Sequence, residues 1–217
     1  MAAADRFKLV YFNGRARAEA IRLMFHHSGT NYEDVRVEPA DWPKYKEEHS
    51  AELPTGQIPT LVINGKDIYC QSMTIARYVG KRLGYGGADD IQSMQMDMLV
   101  ESFSTDLLDS KIIPVIMAKL HSSDKELEAK TRAEAETFMK SFLARYEKIL
   151  MENGTGFLVG SKISWADFFV AEGLDQIDTY FVPNQLGDFP KLRQLIADVM
   201  GDAKLKAYLE SRPKTDF

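Results

Sequence analysis

Cysteine is almost absent: Cys70 stands alone among 217 residues. A single cysteine excludes an internal disulfide, a CxxC redox pair and a cysteine-based structural zinc site, so sulfur chemistry must largely use a sulfur brought from elsewhere. Long apolar runs are missing as well. The longest uncharged one, 112–118, contains Pro114 and falls far short of the roughly 20 residues of a membrane helix. The chain begins Met-Ala-Ala-Ala-Asp-Arg and enters a charged segment without an apolar stretch, so no cleaved secretory signal is read and a cytoplasmic location is expected. An excess of positive charge is also lacking. With 27 Lys+Arg against 32 Asp+Glu the formal net charge is -5, which argues against a nucleic-acid partner. What remains is the composition of a soluble globular protein, 45% hydrophobic and 27% charged, long enough for two small domains.

The hydrophobic pattern divides the chain. Residues 8–12 read as a strand, and 16–28 carry apolar positions at helical spacing until Gly29 stops them. Residues 32–37 alternate as a half-buried strand, and a polar stretch with Trp and Pro fills 38–56. Two further strands, 60–63 and 67–70, flank Asn64-Gly65 as a two-residue hairpin turn, and a helix from near Ser72 stops at Gly84. The expected order is βαβ then ββα, with a mixed sheet. Beyond the glycine-rich 84–88 no convincing strand appears: 89–121 and 124–152 read as long helices, followed by helices near 164–180 and 188–210. The expected organisation is an α/β domain at 1–83, a linker at 84–88 and an all-helical domain at 89–217. Ser164-Trp-Ala-Asp167 has the form of a capping box, a folding signal.

Several residues carry chemistry in prospect. Tyr11 lies at the end of strand 1, where open α/β sheets meet ligands, and a tyrosine packed between sheet and helix fits the same position. Pro59 precedes a strand. A cis Ile58-Pro59 bond would turn the backbone of Ile58 toward an extended peptide, whereas a trans proline would only start the strand. Ser72 is a candidate N-cap at a helix start that suits a carboxylate. Trp42 and Lys46 are four apart, on one side of a helical turn, and Arg17 has Glu19 nearby as a surface partner.

Taken together, Tyr-Phe-Asn-Gly-Arg-Ala-Arg-Ala-Glu at 11–19, Asp-Trp-Pro-Lys at 41–44, Gly-Gln-Ile-Pro at 56–59 and Gln-Ser-Met-Thr-Ile-Ala-Arg-Tyr at 71–78 resemble the sigma class of cytosolic glutathione transferases. The box at 164–167 fits too, and the resemblance covers nearly the whole chain. It implies a thioredoxin-like first domain, a helical second domain, a homodimer, and glutathione as co-substrate with no metal required. By the same resemblance Tyr11 donates a hydrogen bond to the glutathione sulfur and stabilises its thiolate, with Arg17 supporting the hydroxyl. Trp42 and Lys46 would hold the glycine end, Gln57, Ile58 and Pro59 the cysteinyl part, and Gln71 and Ser72 the γ-glutamyl carboxylate. A pocket for a small hydrophobic electrophile falls by analogy to Phe12, Ala16, Leu107 and Phe169. Where relatives carry an acid reaching into the partner subunit this chain has Thr105, with Asp106 adjacent and Glu101 one turn earlier.

The activity implied is conjugation of glutathione to electrophiles in detoxification, with peroxidase activity as a side reaction. The same thiolate would serve a glutathione-dependent isomerase forming prostaglandin D from its endoperoxide. A non-catalytic, crystallin-like member is a reading of another class, opposed by the complete set of glutathione-binding positions. A thiol-disulfide oxidoreductase lacks its second cysteine, and Cys70 as a lone nucleophile sits at a strand end, away from the helix dipole that would activate it.

Overall fold

The structure, a computed structural model, describes residues 5–215, with His121 described through its backbone only. The chain divides into two compact units. The first runs to Gly84 and also takes in the segment from Ala203 onward, and the second spans Tyr85–Asp202. The C-terminal segment, placed in the helical domain by the sequence reading of 89–217, thus belongs to the first unit.

That unit is built on β1 (Phe7–Phe12), β2 (Tyr32–Val37), β3 (Thr60–Ile63) and β4 (Asp67–Cys70). They form one sheet in the order β2-β1-β3-β4, with β1 and β2 parallel and both β1/β3 and β3/β4 antiparallel. The parallel pair needs a crossover, supplied by a short 3-10 turn (Ala16–Ala18) and α1 (Glu19–Ser28). Gly29 ends α1 in the left-handed conformation, φ 69°, a geometry that costs glycine little. The polar stretch after β2 is not wholly irregular: it holds α2 (Trp42–Glu48) between two 3-10 turns. The β3–β4 connection is one residue longer than the hairpin read from Asn64-Gly65. Both residues take positive φ, but β3 and β4 pair as Ile63 with Asp67, leaving Lys66 as an extra residue. α3 (Ser72–Arg82) then packs against α1. Leu9, Val10, Ile21, Leu23, Leu61 and Ile75 form the fully buried centre.

In the second unit α4 (Asp90–Ser102) and α5 (Ile113–His121) are joined end to end by a π-helical stretch, Phe103–Ile112. The sequence pattern gave one regular helix here. Within it Thr105 Oγ1 donates to Glu101 O at 2.8 Å and Ser110 Oγ donates to Asp106 O. Pro114, lacking an N–H, crowds the carbonyl four residues back. α6 (Lys125–Asn153) starts at Asp124, whose carboxylate accepts from the N–H groups of Glu126 and Leu127. α7 (Trp165–Gln176) begins with the capping box read from the sequence, runs through the core, and continues into a π-helical turn, Ile177–Phe181. α8 (Pro190–Met200) is capped from α6, where Glu147 accepts from the N–H groups of Lys191 and Leu192 at 2.9 Å each. The stretch read as one helix over 188–210 breaks at Gly201, and α9 (Lys206–Ser211) lies in the first unit. Phe103, Phe142 and Phe168 fill the helical core, and Gly173 lets α7 approach Phe103 closely.

Candidate active site

Strand register brings the candidates of the first unit to one end of the sheet. Val10 of β1 pairs with Thr60, the first residue of β3, and Thr60 pairs with Cys70, the last of β4. Tyr11 and Phe12, Ile58 and Pro59, and Gln71 and Ser72 therefore all lie just past the same row. β2 ends at that side too, since Phe12 pairs with Val37, and the chain goes on from there to Trp42 and Lys46. Topology alone brings four separate segments to this end of the sheet.

Tyr11 is 6% exposed, so most of its ring is packed, as a strand tyrosine would be. Its hydroxyl is nonetheless placed for chemistry, because it accepts a hydrogen bond from the backbone N–H of Arg17 at 3.4 Å. An oxygen used as acceptor keeps its own proton free to donate. Burial pushes the phenol above its ordinary pKa, and the Arg17 N–H and the charges of Arg17 and Arg22 oppose that rise. The group is therefore a neutral donor at physiological pH. The Arg17 N–H that meets this hydroxyl belongs to the turn 13–18. Ala16, in that turn, adopts φ 32°, unusual for a residue with a Cβ.

The turn is held from beneath by Arg22, which sequence reasoning missed. Its guanidinium is fully buried and donates to Gly14 O at 2.5 Å, Phe12 O at 3.3 Å, Glu19 Oε2 at 3.3 Å and Asp34 Oδ1 at 3.1 Å. It also lies 5.9 Å from the Tyr11 ring centroid. Glu19, read as a surface partner for Arg17, is instead buried beside Arg22. The available signal was an arginine inside an otherwise apolar helix, three residues after an acid.

Lys46 Nζ sits 5.9 Å from the Trp42 ring centroid, so the two do share one side of α2, and Trp42 is edge-on to Phe12 at 5.5 Å. The Ile58-Pro59 bond is cis. Ile58 is half-buried and lies outside the ladder, which starts at Thr60. Gln57 is exposed and Pro59 buried. Ser72 is not the N-cap: Gln71 occupies that position with φ 75°, its carbonyl accepting from Ile75 N, and Ser72 is the buried first residue of α3. The Gln71 side chain makes no capping hydrogen bond here. Cys70 is half-buried at the end of β4.

The remaining candidates belong to the second unit. Leu107 is fully buried in the π-helical stretch, and Phe169 is buried edge-on to Phe103 and Trp165, both as core residues. Thr105, Asp106 and Glu101 are exposed. Asp106 accepts from Ser102 Oγ at 2.7 Å and Thr105 Oγ1 at 3.3 Å. Among the described residues no group of three or more His, Cys, Asp or Glu is arranged to hold a metal ion, and no helix is long and apolar enough to cross a membrane.

A four-stranded mixed sheet joined to a mostly helical unit matches the architecture of glutathione S-transferase structures. Residues 7–81 match the glutathione S-transferase N-terminal domain and 110–212 the C-terminal domain. The chain is 31% identical over 215 residues to glutathione S-transferase 3 of Caenorhabditis elegans, covering 97% of this chain and 99% of that one. Among solved structures it is similar to monomeric Na-GST-3 of the hookworm Necator americanus, with TM-score 0.87, 32% identity and coverage of 98% and 100% of the two chains. A Nu-class GST from Haemonchus contortus gives TM-score 0.78 at 32% identity, covering 99% of this chain and 100% of that one. Prostaglandin synthase D of Nilaparvata lugens gives TM-score 0.82 at 27% identity, covering 97% and 100%. The chain belongs to the glutathione S-transferase family, whose co-substrate is glutathione.

Proposed function

We propose that the chain is a sigma-class enzyme that conjugates glutathione to small hydrophobic electrophiles, with Tyr11 stabilising the thiolate. One observation carries this reading: a packed tyrosine at the end of β1 whose hydroxyl accepts the Arg17 N–H and stays protonated, leaving its own proton for the sulfur. A hydrogen bond to the charged form lowers the thiol pKa, and each unit corresponds to about 1.4 kcal/mol. The phenol acts as donor, not base, so it is not consumed and needs no recharging between turnovers. Trp42 and Lys46 would bind the glycine carboxylate, and the backbone of Ile58, flanked by Gln57 and Pro59, would pair with the cysteinyl portion as an added strand. Gln71 and Ser72, at the start of α3, would take the γ-glutamyl carboxylate on N–H groups of the first helical turn. The Phe12 side chain and Ala16 flank Tyr11 and would form the near wall of the electrophile pocket.

The working molecule is proposed to be a cytoplasmic homodimer. Ile91, Met94 and Met98 are exposed at i, i+3 and i+7 along α4, an apolar row that a second copy would cover. Asp106 or Glu101 would then supply the acid that Thr105 lacks. A second reading, prostaglandin-D isomerase, is favoured by the likeness to prostaglandin synthase D of Nilaparvata lugens. Turnover decides between them. Glutathione conjugation is expected with an activated aryl halide, reduced by about tenfold or more in Tyr11→Phe if the donor lowers the thiol pKa by a unit. Turnover of a prostaglandin endoperoxide in preference to every electrophile tried would select the isomerase, and absence of both activities would sink the enzymatic reading.

A further inference from the structure

The buried charges beneath the Tyr11 turn are fastened by the far end of the chain. Glu19 is 1% exposed, and each carboxylate oxygen is engaged. Oε2 accepts from Arg22 at 3.3 Å, while Oε1 accepts from the Tyr208 hydroxyl and from Arg212 Nη1, both at 2.9 Å. Tyr208 also accepts from Arg36 at 3.2 Å, and Arg36 pairs with Asp34 at 2.8 Å, which pairs in turn with Arg22. The Tyr208 ring stacks on His26 at 3.9 Å with the planes 14° apart. After α8 the chain returns to the first unit, and α9 buries only one of its own residues there, Tyr208. Its hold combines the fully buried Leu205, just before α9, with polar and aromatic contacts concentrated on one carboxylate.

That carboxylate leads to the reacting end of Tyr11. Glu19 orients Arg22. Arg22 grips the carbonyls of Phe12 and Gly14, which frame the turn, and the turn presents the Arg17 N–H to the Tyr11 hydroxyl. At 3.4 Å this last bond is already beyond the usual 2.9–3.0 Å of an N–H to oxygen contact. A drift of the turn by a few tenths of an ångström would release it.

We propose that the C-terminal segment 203–215 is a strap that positions the thiolate-activating turn, with Tyr208 and Arg212 as positioning residues acting through Glu19 and Arg22. This rests on the reading that Tyr11 activates glutathione. With the strap detached, Glu19 keeps Arg22 as its partner but loses both groups that hold it from the other side. Arg22 can then follow Glu19, the Gly14 and Phe12 carbonyls move with it, and Tyr11 loses the donor that keeps its oxygen aligned. Glutathione binding to α2, Ile58 and the start of α3 does not run through this path, so affinity and reactivity should separate.

The test uses the full chain with Tyr208→Phe, which preserves the ring on His26 and removes the hydroxyl, Arg212→Gln, the double variant, and Arg212→Lys as the conservative exchange. Lys206→Gln is the control on α9, since Lys206 is exposed and its contact with Glu210 is 4.0 Å long. The double variant is expected to move the pH profile of kcat/KM up by about half to one unit, a three- to tenfold loss of rate at pH 6.5, with glutathione Kd changed by less than about twofold. Arg212→Lys should recover most of the profile, and Lys206→Gln should match wild type. If Tyr208→Phe and the double variant lower the melting temperature but leave the pH profile in place, the strap is only structural and the proposal is overturned. Tyr11→Phe, run alongside, separates the failures. A shift in Tyr11→Phe without one in the strap variants refutes the strap alone, and no shift in Tyr11→Phe refutes the reading beneath it and the strap together.

Discussion

Replacing Asp167 by Asn removes a negative charge from the start of α7 without changing the shape of the side chain, and the structure allows its cost to be worked out. Asp167 is fully buried. Its Oδ1 accepts from Leu158 N at 2.7 Å, and its Oδ2 from Ser164 N at 2.8 Å and Ser164 Oγ at 2.6 Å. An amide can accept at only one oxygen, so its NH2 must face a backbone N–H that is then unpaired, at about 1–3 kcal/mol. Burial raises the Asp167 carboxyl from about 3.8 to about 6, against the hydrogen bonds that favour its ionised form. A folded-state pKa above the unfolded one means that this group's contribution is fully present below pH 3.8 and is lost as pH rises through about 6. At pH 5, below the folded value, the wild type therefore holds about 1 kcal/mol that it has lost by pH 7. Asn does not titrate, so the penalty of Asp167→Asn should be about 2 kcal/mol at pH 7 and about 3 kcal/mol at pH 5. Urea unfolding of both proteins at the two pH values, followed by circular dichroism, measures it. A penalty equal at both, or larger at pH 7, would refute the argument that desolvation dominates at this cap.

Packing and sulfur chemistry give two more expectations. A methyl group added at Gly173 would stand 2.5 Å from Phe103 Cε1, so Gly173→Ala should lower stability by about 1–3 kcal/mol, and Phe103→Leu in the same chain should recover part of it. A double-mutant cycle in thermal unfolding reads the coupling, and strict additivity would show that the two do not touch. Cys70→Ser should retain conjugating activity, because Cys70 lies at the end of β4. Loss of turnover in that variant would make Cys70 the nucleophile in place of glutathione.

Where local chemistry decides structure, the sequence was readable. Tyr32–Val37 shows its alternation and forms β2 over those residues, and Ser164 with Asp167 announces the start of α7. The convergence of Tyr11, Pro59 and Ser72 on one end of the sheet was also legible in its parts, since each adjoins a strand end and register does the rest. The π-helical stretch was not, because apolar spacing over 103–112 does not distinguish it from a continuous α-helix. Ser72 looked like a cap because serine favours that position, yet the chain enters α3 through Gln71 at positive φ and leaves Ser72 inside the helix. The Glu19–Arg22–Tyr208–Arg212 cluster was hidden for a simpler reason. Its members are ordinary helix and helix-end residues until the fold brings positions 19 and 212 to hydrogen-bond distance.

The central claim is that Tyr11 donates a hydrogen bond to a borrowed sulfur, and the most direct measurement is a pH titration of the ultraviolet thiolate band of bound glutathione. In the wild type the thiol should titrate about one to two units below free glutathione, and Tyr11→Phe should return it to the free value. If the band titrates at the same pH with and without the Tyr11 hydroxyl, that hydroxyl does not stabilise the thiolate.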